Sequence, residues 1–276
     1  MKFILTGHKG LIGSSLLNAL LKRGDTPVLL VDKRDGKFVE DINKEELKEP
    51  VDMLIHLADF CKINKIISDP KLAFQNSHNL EKVMEFCRKH HIPKIVYTSS
   101  SRVLSEERNP YTASKLYGEE LLKAYSKCYG IDYVIVRPST VYSPFDDKTA
   151  RLVDIWMRTA LAGGELKIFG NKNKTLDFTY IDDFISGFLL AMEQRNDAFD
   201  ISSGKATTLE SVADSIISLA GKGSKGFYES EKEQPQNVEV DISKLRKLGY
   251  EPRVSIEEGI RRTFDWYKEN FESLGR

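Results

Sequence analysis

The sequence has little of several features that would place it quickly in a class. It contains three cysteines among 276 residues, and their odd number and wide separation provide neither a disulfide framework nor a metal-ligand spacing. This usage is typical of a reducing compartment, so we expect buried, structural thiols. Lys plus Arg equals Asp plus Glu at 41 each, so no net charge favours a nucleic-acid or anionic-membrane partner.

Long apolar runs and repeats are also missing. No apolar segment approaches the roughly 20 residues that span a bilayer, and the chain starts directly with a predicted strand. There is no low-complexity segment and no repeat with a period of about 20 to 50 residues. The adjacent pair His90 and His91 lies in a predicted turn, and we expect no metal site. These absences predict a cytoplasmic protein without a membrane partner.

An apolar run from Phe3 to Thr6 leads into three spaced glycines. Gly7 permits a tight turn, Gly10 lets backbone approach a pyrophosphate, and Gly13 lets the next helix pack closely. The free N–H groups and positive dipole end of that helix would face the phosphates. The loop residues expected at a dinucleotide are Gly7, Gly10, Leu11, Ile12 and Gly13.

A second apolar run ends at Asp32, about 20 residues past the loop, where a carboxylate accepts hydrogen bonds from an adenosine ribose. The same carboxylate would repel a 2′-phosphate, so the sequence favours NAD. Lys33 and Arg34 leave NADP open, because a cation here can accommodate the phosphate. Asp41 and Ile42, after another short predicted strand, are expected to flank the adenine ring.

Apolar runs alternate with helical patterns through the first half of the chain. Strands are predicted at 2–6, 27–31, 52–57, 94–98 and 132–137. Helices are predicted at about 10–23, 70–90 and 111–129. This βαβ alternation predicts an α/β fold with a doubly wound parallel sheet of Rossmann type.

After residue 138 the pattern changes to longer loops, with helices near 149–162 and 182–194. We predict a dinucleotide-binding domain of residues 1–165, joined by about 178–203. Residues 166–177 and 204–276 are predicted to form a smaller C-terminal substrate-binding lobe. Ligands in such sheets bind at the carboxyl ends of the strands, which this lobe would cover.

A candidate catalytic set follows the fourth strand. That strand ends in three serines, Ser99 to Ser101, and the next helix carries Tyr111 and Lys115 on one face. A phenol ionises near pH 10, but an ammonium and a nicotinamide ring would both favour phenolate and bring its pKa towards neutrality. A serine hydroxyl can hold the substrate oxygen while the phenolate takes its proton and nicotinamide takes hydride.

With these residues in order, the chain resembles the extended short-chain dehydrogenase/reductase family, in its branch of NAD-dependent sugar-nucleotide epimerases and dehydratases. The resemblance covers essentially the whole chain. The matching segments are Thr6 to Gly13, Asp32, Asp52 to Ala58, Asn76, Ser99 to Ser101, Tyr111 with Lys115, Arg137 to Tyr142, Asp177 to Asp183 and Asp241 to Gly249.

The resemblance implies roles for individual residues. Tyr111 and Lys115 take the catalytic positions, and counting back from Val103 makes Ser100 the catalytic hydroxyl. Tyr111 and Lys115 also belong to the implied cofactor set, which outside the glycine loop further comprises Asp32, Lys33, Asp41, Ile42, Leu57, Ala58, Asn76 and Pro138. It also implies a homodimer through the helices near 70–90 and 111–129, with an isologous interface.

The chain departs from the family pattern at the catalytic end. Family dehydratases carry an Asp-Glu pair after the catalytic hydroxyl, whereas this chain has Ser101 and Arg102. Dehydration therefore has no evident proton donor. About ten residues separate Ser100 from Tyr111, which shortens a loop that covers the substrate in relatives.

The chain also departs at the substrate phosphates. The family's arginine clamp is Leu176 here, its asparagine is Thr140, and its later Arg-Pro-Gly-Asp pattern is reduced to Gln234 to Asn237. Either ordinary UDP- and dTDP-sugars bind weakly, or other cations take over the clamp. The candidate cations are Lys172, Lys174 and Arg151. The expected substrate contacts are Ser100, Ser101, Thr140, Phe169 and Lys174.

These observations predict an NAD-dependent epimerase, an isomerase of carbohydrate metabolism that acts on a sugar, expected to be nucleotide-linked, through a transient ketone. A net sugar reductase or dehydrogenase with the same Ser-Tyr-Lys set is the alternative enzyme. A non-catalytic dinucleotide-binding regulatory protein is the alternative outside the enzymes. His56 is expected to be a satisfied core imidazole, and His8 a loop residue.

Overall fold

The chain folds into alternating strands and helices. The computed structural model describes residues 1–170, 173–229 and 240–274. The strands are β1 (Lys2–Thr6), β2 (Thr26–Val31), β3 (Met53–His56), β4 (Lys94–Thr98), β5 (Asp132–Pro138), β6 (Thr140–Tyr142), β7 (Glu165–Phe169), β8 (Thr175–Tyr180), β9 (Asp197–Ile201), β10 (Ala206–Thr208) and β11 (Ser224–Tyr228). The α-helices are α1 (Leu11–Lys22), α2 (Ile63–Ser68), α3 (Lys71–Lys89), α4 (Pro110–Tyr129), α5 (Leu152–Leu161), α6 (Ile181–Met192), α7 (Leu209–Ala220), α8 (Ser243–Arg246) and α9 (Ile256–Asn270).

The main sheet has six strands in the order β2-β1-β3-β4-β5-β9, and all its neighbouring pairs are parallel. The order reverses direction at β1, between β2 and β3, as in a doubly wound sheet. The predicted α/β fold is therefore confirmed. The five strands and three helices predicted with bounds in the first half are all present, and each bound differs by at most one residue.

Both faces of the sheet are covered because side chains of a strand alternate between them. Phe3 and Leu5 of β1 join a core with Leu16 of α1 and Phe184 of α6. Ile4, between them, joins a second core with Val83 and Phe86 of α3 and Leu122 of α4. The two cores fix the sheet between the helix layers and hold its carboxyl edge in place.

The helix α4 has well-defined ends in the sequence. Asn109 caps it and, with Thr112, forms a reciprocal capping box, while Pro110 occupies the first turn. Gly130 ends it with φ of 70°, a conformation that glycine adopts without strain. These signals place Tyr111 in the first turn of α4 and Lys115 one turn later.

The second half of the chain adds two small sheets. One has the order β10-β8-β6, and the other pairs β11 with β7. The helices α5, α7 and α9 pack on one another beside these sheets, with Trp156, Ile216 and Tyr267 in the shared core. The wall opposite the glycine loop is formed by the segment before α5 together with β7 and β8.

Three sequence expectations are corrected by the structure. Asp41 and Ile42 lie within a short 3-10 helix at 39–44, not after a strand. Only Cys87 is a buried thiol, since Cys61 and Cys128 are exposed. His56 is buried, but its Nε2 atom has no hydrogen-bond partner among the described residues. In the same part of the chain, no helix is long and apolar enough to cross a bilayer.

Candidate active site

A cavity of about 690 Å³ opens at the carboxyl ends of the central strands. Its floor is the glycine loop after β1 and the ends of β3 and β4, and its far wall comes from the segment before α5 and from β7 and β8. The same cavity is also lined by Ser100, Tyr111 and Lys115. One space thus joins the predicted cofactor site to the predicted substrate site.

The glycine loop is shaped for close approach of a ligand. Gly7 has φ of 78°, and a Cβ on Gly13 would lie 2.0 Å from the Gly7 carbonyl oxygen. Gly10 is the N-terminal flanking residue of α1, and no side chain caps that helix end. Gly7, Gly10, Leu11, Ile12 and Gly13 all line the cavity, so unpaired N–H groups of α1 are available to a phosphate.

Asp32 lies at the end of β2, lines the cavity and is buried. Its carboxylate accepts hydrogen bonds from the Arg34 guanidinium, at 3.0 Å, and from the amides of Lys9 and Arg34. Burial raises the pKa of Asp32, but these donors outweigh it and lower the pKa to about 2. Asp32 is therefore ionised at neutral pH, and Arg34 is engaged with it.

The wall beyond Asp32 differs from the sequence expectation. Lys33 lines the cavity, whereas Asp41 and Ile42 do not. Asp41 pairs with Lys44 at the surface, and Ile42 is buried in the core. The preceding residues, Phe38 to Glu40, take their place on the cavity wall.

The remaining predicted cofactor contacts divide into two groups. Leu57, Ala58 and Pro138 line the cavity. Asn76 does not, because its side-chain amide makes two hydrogen bonds of 2.9 Å with the backbone of Phe60. Asn76 therefore holds the segment after β3, which itself lines the cavity.

Ser100, Tyr111 and Lys115 are buried together beside the cavity. The Ser100 hydroxyl hydrogen-bonds the Tyr111 phenol. The Lys115 Nζ atom lies 5.9 Å from the centroid of the Tyr111 ring. It donates to the Thr98 carbonyl oxygen, at 2.7 Å, and to Asp59 Oδ2, at 2.5 Å.

Burial raises the pKa of the Tyr111 phenol, and the Lys115 ammonium and the Ser100 hydrogen bond act against it. Tyr111 is therefore protonated at neutral pH in this environment. The positive charge of a bound nicotinamide would act in the same direction as Lys115.

The three serines after β4 have distinct surroundings. Ser99 donates to Glu119 at 2.6 Å, and Glu119 in turn pairs with Arg137. Ser101 is buried and does not line the cavity. Ser100 is the serine that contacts the phenol, which supports it as the hydroxyl facing the substrate.

The substrate end of the cavity contains Thr140, Phe169, Lys174 and Leu176. Arg151 also lines it and pairs with Asp147 at 2.6 Å. Lys167 adds a further cation to the wall. Lys172 and the segment 234–237 lie outside the described residues.

Two residues that the sequence patterns did not single out also face the catalytic group. Asp59 and Cys61 follow β3 and line the cavity, and both are within electrostatic range of Tyr111. No periodicity or motif marks them, since their proximity to Tyr111 arises from sheet order. His8 pairs with Asp35 and is not on the cavity wall, and the described residues contain no metal-binding cluster.

Comparison with known proteins agrees with this geometry. The profile of the NAD dependent epimerase/dehydratase family matches residues 3–202. A UDP-glucose 4-epimerase of Mycolicibacterium smegmatis is 26% identical over 97% of this chain and 99% of that protein. A UDP-glucuronate 4-epimerase of Thermodesulfobacterium geofontis is 27% identical over 99% and 98% of the two chains.

Solved structures show the same fold. The UDP-glucuronic acid 4-epimerase of Bacillus cereus, in complex with UDP-glucuronic acid and NAD, is 25% identical and superposes with a TM-score of 0.85. That match covers 98% of this chain and 99% of the other. The UDP-glucose 4-epimerase of Thermotoga maritima has a TM-score of 0.86 at 24% identity, over 98% and 100% of the two chains.

Proposed function

The chain belongs to the NAD-dependent epimerase/dehydratase family, and from this premise we propose that it epimerises a nucleotide-linked sugar. The reaction would invert a hydroxyl-bearing carbon through a transient ketone. The observation that carries the proposal is the meeting of Ser100, Tyr111 and Lys115 with the glycine loop in one cavity. The relatives named as UDP-sugar 4-epimerases support carbon 4 and favour epimerisation over net reduction or a regulatory role.

The residues present fit NAD. A Cβ at Gly13 would collide with the Gly7 carbonyl oxygen, and a Cβ at Gly7 would lie 3.0 Å from the Ala58 nitrogen, so the loop packs in a form that only glycine allows at these positions. Asp32 is ionised and buried where a ribose diol would be bound. We assign the cofactor to the glycine loop, Asp32, Leu57, Ala58 and Pro138. NAD, when bound, supplies the hydride acceptor and then the hydride donor.

The chain's own residues would move the proton. With the positive charges of Lys115 and a bound nicotinamide both favouring the ionised form, the Tyr111 phenolate would take the proton of the substrate hydroxyl as that carbon is oxidised. The resulting phenol would return the proton when the ketone is reduced from the other face. The Ser100 hydroxyl donates to the substrate oxygen and orients it. Lys115 stabilises the phenolate through its charge. All three groups are buried, which limits the access of water to them.

Water elimination is not expected from this site. Dehydration needs an acid next to the reacting carbons, and the segment after Ser100 presents Arg102 to the cavity instead. A guanidinium stays protonated at neutral pH and is a poor proton donor. The site therefore supports epimerisation within a family that also includes dehydratases.

We further propose that residues 166–177 and 204–276 bind the substrate, over the dinucleotide-binding unit of 1–165 and 178–203. The cations Arg151, Lys167 and Lys174 on the cavity wall support a pyrophosphate site that has been rewired rather than lost. A guanidinium has five N–H donors, so Arg151 can pair with Asp147 and still donate to a phosphate. Phe169 could stack on a base, because it is exposed on the same wall.

A homodimer through α3 and α4 is also proposed. The two helices pack on each other, and Phe74 of α3 and Tyr117 of α4 are large exposed apolar side chains, at 74% and 47%. Exposed aromatic residues on a helix pair are typical of an interface. We also propose a cytoplasmic location, which the unpaired thiols Cys61, Cys87 and Cys128 support.

The proposed reaction can be tested with a panel of nucleotide sugars. The purified protein is incubated with UDP-glucose, UDP-galactose, UDP-glucuronate and their N-acetylated analogues, and products are identified by NMR. Interconversion of one 4-epimer pair without added cofactor supports the proposal. Accumulation of reduced NAD with an oxidised sugar would replace it with the dehydrogenase alternative.

A further inference from the structure

A buried carboxylate lies beside the catalytic pair. Asp59 follows β3, and its side chain is 6% exposed, against 3% for Lys115. The Lys115 ammonium is held between Asp59 and the carbonyl oxygen of Thr98, at 2.5 and 2.7 Å. Asp59 and Thr98 follow or end neighbouring parallel strands, so the sheet itself sets the position of the ammonium.

Behind Asp59 lies a neutral imidazole. The Thr6 hydroxyl oxygen accepts from the amides of Leu57 and Ala58, so its hydrogen is available to His56 Nδ1 at 2.8 Å. Burial lowers the pKa of His56 to about 4, and the proton of the neutral ring is then on Nε2. This atom lies 3.7 Å from Asp59 Oδ1.

Both of these facing atoms, His56 Nε2 and Asp59 Oδ1, lack a hydrogen-bond partner within the described part of the chain. A shift of less than 1 Å would join a donor to an acceptor. Buried polar atoms without partners are uncommon, and these two are complementary. Asp59 is thus fixed between a neutral ring on one side and an ammonium on the other.

We propose that Asp59 is a positioning residue that anchors the Lys115 ammonium and offsets part of its charge at the Tyr111 phenol. The inference rests on the proposed function, in which Tyr111 transfers the proton. An ion pair at contact distance acts on a third group as a dipole, whose field is weaker than that of the cation alone. Asp59 therefore sets how strongly Lys115 favours phenolate.

Several other groups near Tyr111 also affect the pKa of its phenol. Lys115 and the Ser100 hydroxyl lower the phenol pKa, and burial, Cys61 and Asp59 raise it. Arg102, Arg151 and Tyr97 are also within electrostatic range of Tyr111, and Arg151 is paired with Asp147. Apart from Lys115, which Asp59 contacts directly, these groups keep their identity and charge when Asp59 is substituted.

The direct test is a titration of Tyr111 in the NAD-loaded protein. Phenolate absorbance is followed against pH for the wild type and for Asp59→Asn, each after subtraction of the matching Tyr111→Phe variant. Asn keeps the shape of Asp59 and removes its charge. We expect the Tyr111 midpoint to fall by about one pH unit, as for loss of a neighbouring like charge.

The control is Asp265→Asn, which makes the same change at an exposed carboxylate of α9 that does not line the cavity, and it should leave the midpoint unchanged. If Asp59→Asn is too unstable to titrate, Asp59→Ala serves in the same experiment. An unchanged or raised midpoint after removal of the Asp59 charge would overturn the proposal.

Turnover gives a second readout that separates charge from anchoring. The acidic limb of kcat/KM should move to lower pH in Asp59→Asn, because the base form of Tyr111 then persists at lower pH. Asp59→Ala should lose more kcat than Asp59→Asn, whose amide oxygen can still accept from Lys115. Failure to epimerise any sugar would refute the proposed function, whereas the absorbance titration would still decide the role of Asp59.

Discussion

At the scale of single residues, the phenol of Tyr111 has the central role in the proposed chemistry. Burial favours its protonated form, and the groups that oppose burial are Lys115 and Ser100. The balance among these groups decides whether Tyr111 can take a proton near neutral pH. The proposed reaction depends on this one oxygen more than on any other atom of the chain.

Tyr111→Phe should abolish turnover and leave NAD binding nearly intact, because the substitution removes only the proton-transfer oxygen. Activity is measured with the sugar pair that the wild type interconverts, and NAD binding by fluorescence titration. A variant that keeps a tenth or more of the wild-type rate has lost less than about 1.4 kcal/mol of transition-state stabilisation. That result would show that Tyr111 is not the proton-transfer group.

Asp32→Ala should reduce NAD affinity by roughly tenfold or more, since it removes charge-assisted hydrogen bonds to the ribose. It should raise NADP affinity, because Arg34 loses the carboxylate that now engages its guanidinium. Fluorescence titrations with both cofactors measure the change. Unchanged preference in the variant, or equal affinity for both cofactors in the wild type, would contradict the role given to Asp32.

At the scale of elements, α4 must lie close to β4 for Lys115 to contact Thr98. Gly118, one turn beyond Lys115, makes this approach possible. A Cβ at that position would lie 2.6 Å from Tyr97 Oη and 2.8 Å from Leu80 Cδ2. Both neighbours are buried, so they have little freedom to move away.

Gly118→Ala should destabilise the protein by about 1 to 3 kcal/mol through overpacking, despite the better helix propensity of alanine. Chemical denaturation measures the free energy of unfolding. Lys123→Ala, on the exposed side of the same helix, is the control and should change it by less than about 0.5 kcal/mol. Equal stability of Gly118→Ala and the wild type would show that α4 packs less tightly than described.

The strand β8 carries Leu176 where the family has its arginine clamp. With Arg151, Lys167 and Lys174 as replacements, the wild type should bind UDP with micromolar affinity, and Leu176→Arg should add little. Lys174→Ala should weaken binding by roughly tenfold, as for loss of one charge-assisted bond. Calorimetry with UDP measures these affinities. If the wild type does not bind UDP and Leu176→Arg does, the pyrophosphate clamp was lost rather than replaced.

The elements were predictable from sequence because each has a local signal. Glycine spacing, the Asn109–Thr112 cap and alternating apolar runs placed the first strands and helices within one residue. The prediction of a short strand before Asp41 was wrong, because residues 39–44 form a short 3-10 helix. A helix this short leaves no periodic pattern in the sequence. Asp59 next to Lys115 was not predictable, since the two are 56 residues apart and meet only through the order of the strands.

At the scale of the whole molecule, one cavity contains both the proposed cofactor site and the proposed substrate site. The main sheet and α4 carry the proposed cofactor and catalytic residues, and the proposed substrate cations come from β7, from the residue before β8 and from the residue before α5. A transient ketone formed in such a cavity can stay bound while its other face is presented. This architecture suits a reaction that returns the hydride to the carbon from which it came.

Retention of that hydride is the most direct test of epimerisation. The UDP-sugar that the protein converts is prepared with deuterium on the inverted carbon and incubated with the enzyme in ordinary water, without added cofactor. The account predicts that the epimer keeps its deuterium at the same carbon and that no reduced cofactor accumulates. Loss of the label to solvent, or stoichiometric formation of reduced NAD with a ketone product, would contradict it.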